Sequence, residues 1–247
     1  MKTLSKRRTQ LLQRLQTRHG RRKTPFFLCE GRRVCAEARQ HRPDAIEFVV
    51  VADGADADAW QGFDCCRVEP DALDALGQTE SRAGVLLVAH RPACTPALAT
   101  DRCVPVLDGV RDPGNAGTIL RTAWALGLPA VAWTGGTCDL FNPKVVRAGM
   151  GAHFALDLPR FDDLTQLHTH APERNLWVAA PHEGLSCYDD TFAPAGGFLV
   201  FGNEAHGATP PPAAAAVTIP MPGDAESLNV AQAATVLLFE AQRRNRL

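Results

Sequence analysis

Short apolar runs alternate with helix-length stretches along most of the chain, and that alternation limits it to an α/β fold. Strand-length runs are Pro25–Cys29, Ile46–Ala52, Cys65–Val68, Gly84–Ala89, Cys103–Asp108, Ala130–Thr134, Leu176–Ala180, Phe198–Gly202 and Val217–Pro220. The pattern predicts helices over residues 4–18, Arg33–Gln40, Pro70–Leu76, about Asn115–Leu126, and from about Ser227 to Arg243. Strand–helix alternation of this kind builds a mostly parallel sheet with helices on both faces. No apolar run approaches the roughly 20 residues that span a bilayer. The basic N-terminus lacks the apolar stretch of a secretory signal. With 45% apolar and 21% charged residues the composition is that of a globular chain. A soluble, cytoplasmic protein with no membrane partner is expected.

Charge is segregated. Residues 1–23 hold nine cations and no acid, whereas residues 34–100 carry five Lys/Arg against eleven Asp/Glu. A basic arm on a near-neutral body points to a polyanion, and nucleic-acid phosphate is the obvious one. Leu4, Leu11, Leu12 and Leu15 form a short apolar stripe on the same helix, without the aromatic anchor of a membrane-surface helix. The proline-bearing stretch 91–101 is the best linker. The expected organisation is a basic helical arm (1–23), an α/β domain (24–90), the linker, and a larger α/β domain (102–247). The eight cysteines form no C-x-x-C pair, so reduced, buried thiols are expected and no metal site. His168 and His170 could share one face of a strand, but no Cys or His clusters near them, and a polar surface is the simpler reading.

Three glycine-containing segments follow predicted strands, where ligands of such sheets bind. In VLDGVRDPGNAGTILRTAWALG (106–127), Pro113 and Gly114 make a tight turn, Asn115 begins a helix, and Arg121 follows on it. Arg121 amid apolar neighbours calls for an anionic ligand or for an acid such as Asp108 or Asp112. In FLVFGNEAHG (198–207), Gly202 permits close backbone approach and Glu204 arrives at the strand's end. His206 lies in the same loop, where a structural role is the commoner one. In IPMPGDAESLNVAQAATVLLFEAQRR (219–244), Pro220 and Pro222 hold the loop extended, Ser227 is a plausible N-cap, and Asn229 falls in the first helical turn. A P-loop, a G-x-G-x-x-G dinucleotide turn after the first strand of either half, and a G-x-S-x-G elbow are all absent.

Taken in order, D-P-G-N-A-G-T-I-L-R-T-A, F-G-N-E-A-H-G and I-P-M-P-G-D-A-E-S-L-N-V-A resemble the SpoU (TrmH-type) family of the SPOUT RNA methyltransferases. F-N-P-K-V-V-R-A-G-M-G-A-H-F (141–154) is also similar, and the resemblance covers about residues 104–244. F-L-C-E-G-R-R-V-C-A-E-A (27–38) resembles the substrate-binding domain of members acting on large-subunit ribosomal RNA. Ala205 departs from the glycine common after the glutamate.

The resemblance implies a C-terminal SPOUT-type parallel sheet with a trefoil knot, a smaller N-terminal α/β substrate-binding domain, and a homodimer. It implies transfer of a methyl group from S-adenosylmethionine to a ribose 2′-hydroxyl of structured RNA, with ribosomal RNA ahead of transfer RNA. It places catalytic roles on Asn115, Arg121, Glu204, Ser227 and Asn229. The cofactor would sit against Gly202, Asn203, Ile219, Met221, Ser227 and Leu228, and RNA against Arg21, Arg22, Lys23 and Arg121. A base methyltransferase of the superfamily, or a non-catalytic RNA-binding or ribosome-assembly protein, are the alternatives.

Overall fold

The computed structural model describes residues 2–77, 84–92, 98, 100–208 and 214–247. Most of the expected linker (93–97 and 99) lies outside the described residues, as does 209–213 of the Pro/Ala-rich loop. The chain divides into two compact units, Met1–Ala93 with Asp139–Ala155, and Cys94–Cys138 with Leu156–Leu247.

The first unit holds β1 (Lys2–Thr3), β2 (Phe26–Glu30), β3 (Ile46–Ala52), β4 (Cys65–Val68) and β5 (Val85–His90) in the order β1-β4-β3-β5-β2. β3 is parallel to β4 and antiparallel to β5, and β5 is antiparallel to β2. Its helices are α1 (Lys6–Leu15), α2 (Arg18–Arg22), α3 (Arg32–His41), α4 (Pro70–Leu76) and, from later in the chain, α6 (Pro143–Gly149). The single helix expected over residues 4–18 is two helices. The first ends at Leu15 with Gln16 as its C-cap, and Thr17 caps the second, its side chain accepting from the Gly20 N–H. A Cβ on Gly20 would lie 2.1 Å from the Arg14 carbonyl oxygen, so only glycine lets the chain turn there.

The basic N-terminal segment is built into this unit rather than standing off as an arm. β1 pairs with β4, and Leu12 and Leu15 are fully buried with Leu28, Phe48 and Leu76. Each such leucine contributes about 2 kcal/mol of burial, which accounts for the leucine stripe without a membrane. Arg8 lies over the Phe48 ring, 4.6 Å from its centroid, and pairs with Asp64. Arg21 is 3% exposed. Its Nε donates to Asp139 at 2.7 Å and its Nη1 to the carbonyls of Leu15 and Gln16. A guanidinium so committed is not free for phosphate, so Arg21 is corrected from RNA contact to internal tie. Lys6, Arg7, Arg14, Arg18, Arg22 and Lys23 remain exposed.

Residues 139–155, expected in the C-terminal domain, pack in the first unit. Phe141 and Phe154 lie 5.3 and 5.5 Å from the Phe27 ring, Arg91 lies over Phe141, and Arg147 pairs with the buried Glu30 at 3.3 Å. His153, fully enclosed among these rings, donates from Nε2 to the Leu140 carbonyl at 2.7 Å. Burial is the main cause that holds its pKa down to about 4.

The second unit is a seven-stranded sheet with every pair parallel, ordered β10-β12-β9-β11-β6-β7-β8. The strands are β6 (Val104–Leu107), β7 (Ala132–Thr134), β8 (Arg160–Phe161), β9 (Leu176–Ala179), β10 (Leu185–Ser186), β11 (Phe198–Phe201) and β12 (Ala215–Thr218). β6 and β11, adjacent near the middle, are buried at all four positions, as an interior parallel strand requires. The helices are α5 (Pro113–Ala125), α7 (Leu164–His170) and α8 (Val230–Arg243). The strand suggested by His168 and His170 is instead the last turn of α7, where residues two apart do not share a face. β12 ends at Thr218 rather than Pro220, because a proline has no N–H for the ladder.

The seven described cysteines are free thiols, and Cys94 lies outside the described residues. Burial pushes the Cys103 thiol up to about 12. Among the described residues no helix is long and apolar enough to cross a membrane.

Two stability measurements check this reading. Arg21→Ala leaves Asp139 without its cation and is expected to cost about 3 kcal/mol in denaturant unfolding, while Arg22→Ala stays within about 0.5 kcal/mol. Equal costs would return Arg21 to the surface. The lowered pKa of His153 means the unfolded chain takes up its proton first as pH falls. Stability is full above the ordinary value of 6.5 and is lost on the way down to about 4. From pH 7 to pH 5 the loss is about 2 kcal/mol, and His153→Gln removes that part of the pH dependence.

Candidate active site

All seven strands of the second unit are parallel, so their carboxyl ends deliver their loops to one edge. β6 delivers residues 108–112, β11 delivers 202–207, and β12 delivers 219–229. Each loop has a local reason for its shape. Asp112 caps α5 by accepting from the Asn115 N–H at 2.8 Å, and Pro113 follows with φ already helical. Asn203 folds its loop on itself. Its backbone exchanges hydrogen bonds with Gly207, its Oδ1 accepts from the N–H groups of Ala205 and His206, and its Nδ2 donates to the Gly109 carbonyl. A Cβ on Gly202 would lie 2.2 Å from the Ala208 nitrogen, so the strand can enter this loop only through glycine. Asn229 caps α8, its Oδ1 accepting from the N–H groups of Ala231 and Gln232. The expected cap, Ser227, lies two residues upstream in the exposed loop, because the helix begins only at Val230.

Hydrogen bonds join the three loops. The Glu204 carboxylate accepts from the backbone N–H groups of Arg111 and Asp112, both at 3.2 Å, and from Asn115 Nδ2 at 3.1 Å. Asn115 Oδ1 in turn accepts from Asn229 Nδ2 at 2.9 Å. Desolvation pushes the Glu204 carboxyl up. The hydrogen bonds from Asn115 and from the backbone N–H groups of Glu204 itself, Arg111 and Asp112 outweigh it, and the pKa lies below the ordinary carboxylate value.

Beside this junction opens a cleft of about 650 Å³. Gly202, Asn203, Ile219, Met221, Ser227 and Leu228, the positions expected to hold a cofactor, all line it, as do Glu204 and Asn229. Its walls also include Ala179, Ala180 and Pro181 from the end of β9, and Val217 and Leu237, which the sequence pattern did not single out. For Ala179, Ala180 and Pro181 the only signal was that a parallel strand ends there. The volume suits a small organic ligand, and apolar walls with a few convergent polar groups are what such a site needs.

Arg121 is placed differently. It is exposed on α5, outside the residues lining the cleft, and it makes no ion pair or hydrogen bond among the described residues. Asp108 and Asp112 are occupied elsewhere, Asp108 by Thr134 at 2.8 Å and Asp112 by the cap. The internal ion pair is therefore set aside. His206 lines the cleft. Arg22 and Lys23 are exposed in the first unit.

Residues 103–239 match the model of the SpoU rRNA Methylase family. The 23S rRNA (guanosine(2553)-2′-O)-methyltransferase RlmP of Bacillus subtilis (strain 168) is 35% identical over 237 residues, covering 92% of each chain. The structure of a TrmH-family RNA methyltransferase from Porphyromonas gingivalis superposes with a TM-score of 0.84, 26% identity and coverage of 98% of this chain and 100% of that one. The SpoU methyltransferase AviRb from Streptomyces viridochromogenes, in complex with AdoMet, gives a TM-score of 0.83, 26% identity and coverage of 96% and 98%. The matched stretch holds all three loops joined through Glu204, and the chain belongs to the SpoU rRNA Methylase family.

Proposed function

We propose that this chain transfers a methyl group from S-adenosylmethionine to a ribose 2′-hydroxyl of structured RNA, in large-subunit ribosomal RNA. One observation carries the reading. The six positions that the family resemblance gives to the cofactor come from two separate loops, after β11 and after β12, and all six line one cleft at the strand ends. The apolar walls fit an adenosyl group, and the 202–207 and 219–229 loops supply polar edges. A 23S rRNA 2′-O-methyltransferase at 35% identity over nearly the whole chain, and an AdoMet-bound neighbour of the same fold, support substrate and cofactor.

When bound, S-adenosylmethionine supplies a methyl carbon on a positively charged sulfur, an electrophile already strong enough for an alcohol acceptor. The chain's task is then to align the acceptor oxygen and to stabilise the charge that develops on it. Glu204 stays ionised through neutral pH and keeps the three loops in register. Asn115, Ser227 and Asn229 present amide and hydroxyl groups that orient the reactants. Arg121, a cation that does not lose its proton, is assigned to the developing oxyanion or to the neighbouring phosphate.

Because Arg121 lies outside its own chain's cleft, the reading includes a homodimer in which Arg121 of one copy serves the cleft of the other. Tyr188 and Phe239, each about half exposed, are apolar groups that such an interface would cover. The reading keeps the trefoil knot that the family resemblance implies; β11 and β12 flank β9, and the chain after β12 brings Asn229 onto Asn115. Free thiols, five of the seven described ones buried, accord with a cytoplasmic protein. Arg22 and Lys23 position RNA by its phosphates, and the 2′-hydroxyl distinguishes RNA from DNA.

Labelled methyl donor incubated with unmodified ribosomal RNA tests the proposal. Label in alkali-resistant dinucleotides is expected. Label confined to bases indicates the base methyltransferase, and cofactor binding without incorporation indicates the non-catalytic protein. Arg121→Ala is expected to lower turnover about a hundredfold at saturating RNA and cofactor. Near-normal turnover removes Arg121 from the mechanism. RNA affinity should fall steeply from 50 to 200 mM salt, and the double variant Arg22→Ala/Lys23→Ala should flatten the log–log slope by about one to two units. A parent affinity indifferent to salt contradicts a phosphate grip.

A further inference from the structure

Glu204 depends on the backbone N–H groups of Arg111 and Asp112, so something must hold the 107–112 bend that aims them. Leu107 ends β6. Two residues on, Gly109 has φ +76°, in the left-handed region that glycine tolerates and other residues resist. A bend of this kind needs its peptide groups tied down, and both ties of Gly109 are present. Its carbonyl accepts from Asn203 Nδ2 at 2.8 Å. Its N–H donates to Thr137 Oγ1 at 3.0 Å. The same hydroxyl donates to the Leu107 carbonyl at 2.7 Å.

Thr137 is 3% exposed and lies in the turn after β7. Its single hydroxyl thus satisfies one donor and one acceptor on either side of Asp108, with no water needed. The turn also presses close, since a Cβ on Gly136 would lie 3.4 Å from the Gly109 Cα. The Cys138 N–H donates to the Val110 carbonyl at 2.9 Å, fastening the bend at a further point.

We propose that Thr137 is a positioning residue for the methyl transfer: its buried hydroxyl fixes the 107–112 bend, and through Gly109 and Asn203 it sets the loop that carries Glu204. This rests on the function proposed above for the role of the cleft, though not for the geometry. Thr137 touches neither cleft nor substrate; it acts on Glu204 from both sides. Along one route the bend presents the N–H groups of Arg111 and Asp112. Along the other the Gly109 carbonyl anchors the Asn203 amide, whose other end organises residues 205 and 206. Serine keeps the bridge, whereas valine keeps the volume and loses it.

The experiment compares Thr137→Val and Thr137→Ser in the full chain, with two readouts. The first is the Glu204 carboxyl titration, followed by NMR without any substrate. Thr137→Val is expected to move it up toward the ordinary carboxylate value, and Thr137→Ser to leave it as in the parent. The second is kinetics, where valine should lower kcat about tenfold or more and serine should restore it. RNA affinity, assigned to exposed cations that Thr137 does not touch, should change less than about twofold. A folded Thr137→Val chain with the parent's Glu204 titration overturns the proposal. Should the valine variant fail to fold, Thr137→Ala against Thr137→Ser gives the same comparison. If Thr137→Val shifts the Glu204 titration while the parent transfers no methyl group, the proposed function falls and the hold of Thr137 on the Glu204 loop stands.

Discussion

One carboxylate holds together what the parallel sheet only brings near. Glu204 accepts from the Arg111 and Asp112 N–H groups and from Asn115, and Asn115 passes the contact to Asn229. Strand ends alone would leave three loops free to move separately. The chain of bonds makes them one body, with the cleft beside it. It also explains the residue types. An acid suits the backbone donors that open before α5, and an amide with one donor and one acceptor suits the middle of the relay. Glutamine at 204 would retain a single acceptor oxygen and turn an NH2 donor toward either the Arg111 N–H or the Asp112 N–H.

In the first unit a comparable part is played by arginines paired with acids, among them Arg21, which reads as an RNA contact in the sequence. Arg8 and Arg21 are drawn inward by Asp64 and Asp139, and Arg147 by Glu30. A guanidinium buried with a carboxylate and two carbonyls is a structural tie, costly to break and unavailable to a partner. The remaining basic side chains stay on the surface, and the positive character of residues 1–23 is carried by them.

The sequence was most legible where periodicity or motif order spoke directly. Ile46–Ala52, Cys65–Val68 and Pro70–Leu76 have their expected bounds, and the ordered motifs located the cleft-lining residues. It was least legible where a side chain's partner is remote in sequence. Nothing local distinguishes Arg21, which meets Asp139, from Arg22, which meets solvent. The segment 139–155 reads as part of the larger domain until its phenylalanines are seen against Phe27. From the sequence Ser227 reads as the cap and Asn229 as part of the first turn. The cap is instead Asn229, whose side chain both caps α8 and reaches Asn115. Thr137 carries no motif, and only the distances to Leu107 and Gly109 reveal it.

The central claim is that loops fastened through Glu204 form a pocket for a sulfonium nucleoside. Calorimetric titration of the full chain with S-adenosylmethionine, beside Glu204→Ala, tests it most directly. The account predicts one molecule bound per chain, with affinity at least about tenfold weaker in the variant, a difference near 1.4 kcal/mol. Absence of binding to the parent, or equal affinity in both, contradicts it.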